Sequence, residues 1–389
     1  MDKIKLGIIG IGNQGTGYSK KLSEGEVPEI ELVAVADRRE ARRDWCKENL
    51  PESVTIFEEG KDLIASGLCD AVAVVVPHYQ HPELVIDALE HGQHVICDKP
   101  AGDYTKQVRE MNEAAAKSDK VFAMMFNQRT NCVYRKMHEL VAGGELGPVR
   151  RVNWIITDWY RTQSYYDSGS WRATWEGEGG GVLLNQCPHN LDLIQWICGM
   201  PSKVQAFCHE GKWHDIEVED DVTAYLEYPN GATGVFITTT GDAPGTNRFE
   251  VTMDKGKLVC ENDKLTLYKL KESLSEHCAT CKEGFTKPEW EVSEVETDGL
   301  NEQHMGVFKA FAGNILHGTA LVADGSEGIN GLMLSNAMHL SSWLGHPVET
   351  PIDEDVFLEE LNKRRATSKH KEVVEVTFST EGTYGSKTK

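Results

Sequence analysis

Residues 3–15 read KIKLGIIGIGNQG, an apolar run that ends in three spaced glycines, Gly10, Gly12 and Gly15. The run has strand composition, and residues 16–23 can open a helix. A second apolar run, Ile30–Ala36, closes on Asp37, 22 residues after Gly15. Strand, glycine turn, helix, strand and acid in that order predict a dinucleotide-binding βαβ unit. Gly10 permits the tight turn, Gly12 lets the backbone approach a pyrophosphate, and Gly15 lets the helix pack close to the strand. The N–H groups of Asn13 and Gln14 then open a helix whose positive end faces the phosphates. Asp37 can accept from both ribose hydroxyls and repels a 2′-phosphate, which favours NAD. Arg38 and Arg39 follow at once and could hold a phosphate, so NADP is the second choice.

Outward from that unit, strand and helix signals alternate. Residues 70–76 form a continuous apolar run, as in a strand buried on both faces. Residues 82–91 have helical spacing, His94–Cys97 is a short strand, 104–117 is helical and 121–126 is strand again. The pattern is a doubly wound parallel sheet. Ligands bind such sheets at the carboxyl ends of the strands. Three segments fall there: Pro77 to His81, Asp98-Lys99-Pro100, and Asn127-Gln128-Arg129. Pro100 fixes the backbone after Lys99, and the tight turn suggests a cis peptide between them.

From Pro148 the pattern changes to antiparallel strands. Residues 222–228 and 232–239 flank Pro229-Asn230-Gly231, a hairpin signal. Residues 249–253, 257–261 and Lys264–Leu270 continue as a meander. Residues 182–197 read as a helix placing Asn185, His189 and Asp192 on one face. Gly179-Gly180-Gly181 before it allow a close backbone approach. Helices are also expected over 130–142, 302–317 and 328–343. Seven aromatics, from Trp154 to Trp175, crowd 22 residues. Trp154 fits sheet packing. The loop 159–175, with Tyr160, Tyr165, Trp171 and Arg172, is polar enough to face a sugar, whose C–H surfaces aromatic rings cover.

The 389 residues suggest two domains, and the net charge of −21 argues against nucleic acid or anionic membrane as a partner. No apolar run approaches the ~20 residues of a membrane span. The charged first residues are unlike a signal peptide. Ten scattered cysteines read as reduced thiols of a cytoplasmic protein. His277-Cys278 and Cys281 make one CxxC with no second pair, so no metal site is expected. The tail after Gly382 is expected to be mobile.

The chain resembles the Gfo/Idh/MocA oxidoreductases in GIGNQG (10–15), CDKP (97–100), GELGPV (144–149), WR (171–172) and GGGVLLNQCPH (179–189). The resemblance implies a Rossmann domain over 1–127. Over 128–389 it implies an α+β domain with a large open, mainly antiparallel sheet that carries dimer or tetramer contacts. It implies a hydride transfer between a secondary hydroxyl of a sugar, glycoside or cyclitol and NAD. Lys99 matches the active-site lysine, His189 the proton acceptor, and Trp171-Arg172 the pair over the nicotinamide. Asn185 stands where many relatives carry Asp, and with His189, Lys99, Gln128, Tyr160 and Tyr165 it makes the implied substrate set. Pro77, His81 and Asn127 join the glycine turn, Asp37 and Arg38 on the cofactor side. Two other readings compete: redox-neutral glycoside cleavage with tightly held NAD, and a non-catalytic NAD-binding sensor.

Overall fold

The computed structural model describes residues 3–369; the tail after Gly382 lies outside them. The chain divides into two compact units. Residues 3–130 and Glu302–Leu332 form one, and Asn131–Asn301 with 333–369 form the other.

The first unit holds a six-stranded sheet of β1 (Ile4–Ile9), β2 (Ile30–Ala36), β3 (Thr55–Phe57), β4 (Ala71–Val74), β5 (His94–Cys97) and β6 (Phe122–Met124). Its order is β3-β2-β1-β4-β5-β6, and every pairing is parallel. This is the doubly wound arrangement, with β1 and β4 at the switch point where the strand order reverses. β4 is apolar throughout because both its faces are covered: all four of its residues are buried. β3 is absent from the sequence reading, since three residues carry no period.

The segment Glu302–Leu332 packs with this unit although it follows the second sheet in sequence. Its helix Gln303–His317 buries Met305, Phe308 and Phe311 in the same core as Ile8, Val35 and Ile96.

The second unit is built on nine strands. They are β7 (Val149–Ile156), β8 (Lys203–Glu210), β9 (Glu219–Glu227), β10 (Thr233–Thr239), β11 (Asn247–Met253), β12 (Gly256–Glu261), β13 (Lys264–Leu270), β14 (Trp290–Glu294) and β15 (Val348–Glu349). The order is β14-β13-β12-β11-β7-β10-β9-β8-β15. All pairs are antiparallel except β7 with β10. The expected turn at Pro229-Asn230-Gly231 joins β9 to β10, with Asn230 Oδ1 accepting from the Ala232 N–H at 3.0 Å. Burial alternates along β9 and β10, so one face packs inward. Trp154 is fully buried and stacks on Phe249 across β7 and β11, with centroids 4.2 Å apart.

Two expectations fail here. The helix expected over 182–197 starts only at Pro188 and runs to Cys198. Pro188 has no N–H to continue a helix from the preceding turn, and it sits at the first helical position. Residues 182–187 are turns, so Asn185 does not share a helix face with His189 and Asp192. The loop 159–175 is also less open than its polarity suggests. Trp159, Tyr166 and Trp175 are buried, and Tyr166 Oη lies 2.7 Å from Thr240 Oγ1.

Candidate active site

In the first unit the glycine turn is built by exclusion. Gly10 has φ +99°, and a Cβ there would meet the Val75 carbonyl oxygen at 2.4 Å. A Cβ on Gly15 would lie 1.9 Å from the Gly10 oxygen, so only glycine lets the helix Asn13–Ser23 start so near the strand. A Cβ on Gly12 would meet nothing within 4 Å. It would project into open space at the N-cap of that helix, where no side chain caps the free N–H groups. Gly10 and Gly15 thus set the tight turn, and a side chain at Gly12 would fill the open cradle before the helix, which fits a dinucleotide pyrophosphate.

Asp37 directly follows the adjoining strand and is buried. Its Oδ2 accepts from the Ile11 N–H at 2.8 Å, which ties the acid to the glycine turn. Burial pushes its pKa up, but the hydrogen bonds and charge of Arg39 with the Ile11 N–H outweigh this. The carboxyl therefore titrates below its usual range. Arg38 bonds Glu59 at 2.9 Å, and Arg39 bonds Asp37 itself. Both arginines after the acid are thus already paired with carboxylates.

Lys99 follows β5, and its peptide bond to Pro100 is cis, as expected. Its N–H donates to Asp98 Oδ1 at 2.8 Å. Burial pushes the Asp98 carboxyl up to about 6, against the opposing pull of Lys99. His81 sets this turn rather than offering its ring to a ligand. Nδ1 lies 2.7 Å from the Pro100 oxygen and Nε2 2.8 Å from the Val76 oxygen, joining the segment that begins at Pro77 to the lysine turn. Burial drives its pKa down to about 4. Asn127 and Gln128 are both buried, and each donates its side-chain amide to Gln303 Oε1, at 2.5 and 3.1 Å. Gln128 is therefore committed inside its unit.

The sequence reading missed His304, the neighbour of Gln303. It packs on Tyr18 with centroids 5.4 Å apart, and burial together with the charge of Lys99 lowers its pKa to about 4. Nothing local marks it, because it reaches Tyr18 from 286 residues downstream.

In the second unit, Arg172, Tyr165, Asn185 and Glu178 form one chain of contacts. Arg172 Nη1 donates to Tyr165 Oη at 2.6 Å, and its guanidinium lies over the Tyr165 and Trp171 rings at 4.4 and 4.6 Å. Tyr165 Oη donates to Asn185 Oδ1 at 3.4 Å, and Asn185 Nδ2 donates to Glu178 Oε1. Gln186 Nε2 also reaches Tyr165 Oη, at 3.3 Å. His189 is buried in the first turn of the helix after Pro188. Tyr160 is half exposed.

The triple glycine approaches this unit's own strand. The Gly181 N–H and Leu183 N–H donate to the Glu219 carboxylate at 2.8 and 3.0 Å. A Cβ on Gly181 would lie 2.0 Å from the Glu219 carbonyl oxygen. The close approach expected of these glycines is to β9. Glu219 Oε2 also pairs with His339 Nε2 at 2.9 Å, both groups fully buried. Outside this region, His277 bonds Glu272 and the Thr286 oxygen, and no metal-binding cluster occurs among the described residues.

Comparison with known proteins gives the family. Residues 4–126 match the family model described as "Oxidoreductase family, NAD-binding Rossmann fold", and residues 134–259 match "GFO/IDH/MocA C-terminal domain". The chain belongs to the Gfo/Idh/MocA oxidoreductases. It is 24% identical over 340 residues to the myo-inositol 2-dehydrogenase of Thermotoga maritima, covering 86% of this chain and 95% of that one. It is 27% identical over 218 residues to the D-glucoside 3-dehydrogenase of Escherichia coli, covering 52% of this chain and 61% of that one. Among solved structures it resembles the WlbA dehydrogenase of Chromobacterium violaceum in complex with NADH and UDP-GlcNAcA. There the TM-score is 0.76 at 25% identity, over 91% of this chain and 97% of that chain. This member of the family is an NAD-dependent oxidoreductase acting on CH–OH groups.

Proposed function

We propose that the protein oxidises a secondary hydroxyl of a sugar, glycoside or cyclitol, with residues 1–127 holding the cofactor and 128–389 the substrate. The observation that carries the reading is the glycine cradle at Gly10, Gly12 and Gly15 tied by hydrogen bond to Asp37. Bound NAD supplies the hydride acceptor. On this reading Asp37 accepts from the ribose, and Asn13 and Gln14 open the helix toward the phosphates. Pro77, Asn127, Trp171 and Arg172 bound the cofactor. His189 takes the hydroxyl proton as general base. Lys99, as an ammonium, stabilises the alkoxide that develops. Asn185 and Tyr165 bind substrate hydroxyls, and Tyr160 offers a ring face to the sugar. We place the enzyme in the cytoplasm as a homo-oligomer, a dimer or tetramer. The free cysteines and the exposed apolar positions of the second sheet support those two readings.

A panel of sugars, glycosides and inositols tests the reading through reduced-cofactor absorbance at alkaline pH, which favours oxidation. Net NADH from at least one polyol is the expected result. Purified protein that carries NAD, processes a glycoside and releases no NADH would favour redox-neutral cleavage instead.

A further inference from the structure

Asn185 carries no charge of its own, and a buried carboxylate lies beside it. Glu178 is 1% exposed and immediately precedes the triple glycine. Its Oε2 accepts from the Ala173 N–H at 2.5 Å, and its Oε1 accepts from Asn185 Nδ2. Ala173 holds φ +59°, a left-handed conformation unusual outside glycine. Asn185 in turn offers only its carbonyl end to Tyr165.

We propose that Glu178 is a positioning residue for Asn185: its carboxylate fixes the orientation of the Asn185 amide and holds the negative charge of the pair. The proposal rests on the reading that Asn185 binds substrate.

The hydrogen-bond chemistry allows one charge at this pair, at either position. Asn185 can donate to a carboxylate; an aspartate there cannot. Asn185→Asp alone would set two carboxylates against each other, and such pairs hold a proton on one member well above its ordinary pKa. The surrounding charges do not cancel this. Arg172 favours negative charge at the pair, the Glu219 carboxylate, itself paired with His339, disfavours it, and Tyr165 is already engaged by Arg172. Burial already raises the Glu178 pKa in the native chain, against the pull of Arg172 and the Ala173 N–H.

Glu178→Gln alone also fails. The Ala173 N–H needs an acceptor, so the glutamine turns its oxygen there and its NH2 toward Asn185. Asn185 must then rotate by half a turn and carry its donor end to Tyr165. The double variant Glu178→Gln/Asn185→Asp restores every donor–acceptor match with the charge at 185.

The test is the double-mutant cycle, read as kcat/KM on a polyol that the native enzyme oxidises and as thermal midpoint from pH 5 to 9. Each single variant is expected to lose activity, and the double variant to recover about tenfold relative to the product of the single effects. The pair's raised pKa sets the sign for Asn185→Asp. Stability should be intact at low pH and lost as pH rises through that pKa, and the double variant should not show this loss. A double variant no better in kcat/KM than the product of the singles would overturn the proposal, even with coupled midpoints, and leave Glu178 a purely structural acid. Should Glu178→Gln not fold, Asn185→Asp alone decides: a pH profile like that of the native chain overturns the contact. A native chain that oxidises no polyol contradicts the functional reading before any variant is made, whereas the thermal coupling reads the Glu178–Asn185 contact by itself.

Discussion

Asp37 takes four hydrogen bonds, one from the Ile11 N–H and three from Arg39. Its charge is therefore held at the end of β2, where a 2′-phosphate would have to sit. Asp37→Ser should narrow the preference for NAD over NADP, measured as the ratio of kcat/KM for the two cofactors. An unchanged ratio would place discrimination in the arginines. Lys99→Ala should cut turnover by a factor on the order of 10² while NAD affinity survives, because its charge acts mainly in the transition state. Calorimetric titration with NAD separates this from a folding defect. Both residues are legible in the sequence because each belongs to a short motif that carries its own strand and turn. Glu178 is not. Its partner is chosen by the turns of 182–187 and the left-handed Ala173, and neither leaves a periodic signal.

At the scale of elements, the parallel sheet follows from its apolar runs, and Ile30–Ala36, His94–Cys97 and Lys264–Leu270 coincide with strands that the sequence predicts. The helix over 182–197 misled because Val182, Leu183 and Leu184 continue an apolar pattern that Pro188 interrupts. The elements around Lys99 make a pH prediction. His81 and His304 are each pushed down to about 4, whereas an unfolded histidine titrates near ~6.5. Between those values the unfolded chain binds more protons, so stability is intact above the upper value and falls as pH drops toward the lower. Each group contributes at most roughly 1.4 kcal/mol per pH unit inside that window. Thermal midpoints measured from pH 7 to 4.5 should fall. His81→Asn should keep one of the two carbonyl contacts and flatten part of the slope; an identical slope in that variant would contradict the assignment.

At the scale of the whole molecule, two features are invisible locally: the parallel pairing of β7 with β10, and the packing of Glu302–Leu332 with the first unit. Both depend on contacts far apart in sequence, which propensity and period do not encode. The second sheet also leaves Phe207 and Tyr225 59% and 41% exposed on neighbouring strands. Such apolar exposure suits a covered face, so sedimentation at micromolar concentration should give a dimer or larger; a monomer would contradict the proposed assembly. No described helix is long and apolar enough to cross a membrane. The central claim is that hydride leaves a carbinol carbon of a polyol and departs on a free cofactor. It is tested most directly by supplying oxidised NAD with a polyol substrate deuterated at every ring carbon and analysing the nicotinamide by mass spectrometry. The account predicts one deuterium per reduced cofactor, released in step with ketone formation. Reduced cofactor without deuterium, or product formed while the cofactor stays bound and unreduced at the end, would contradict it.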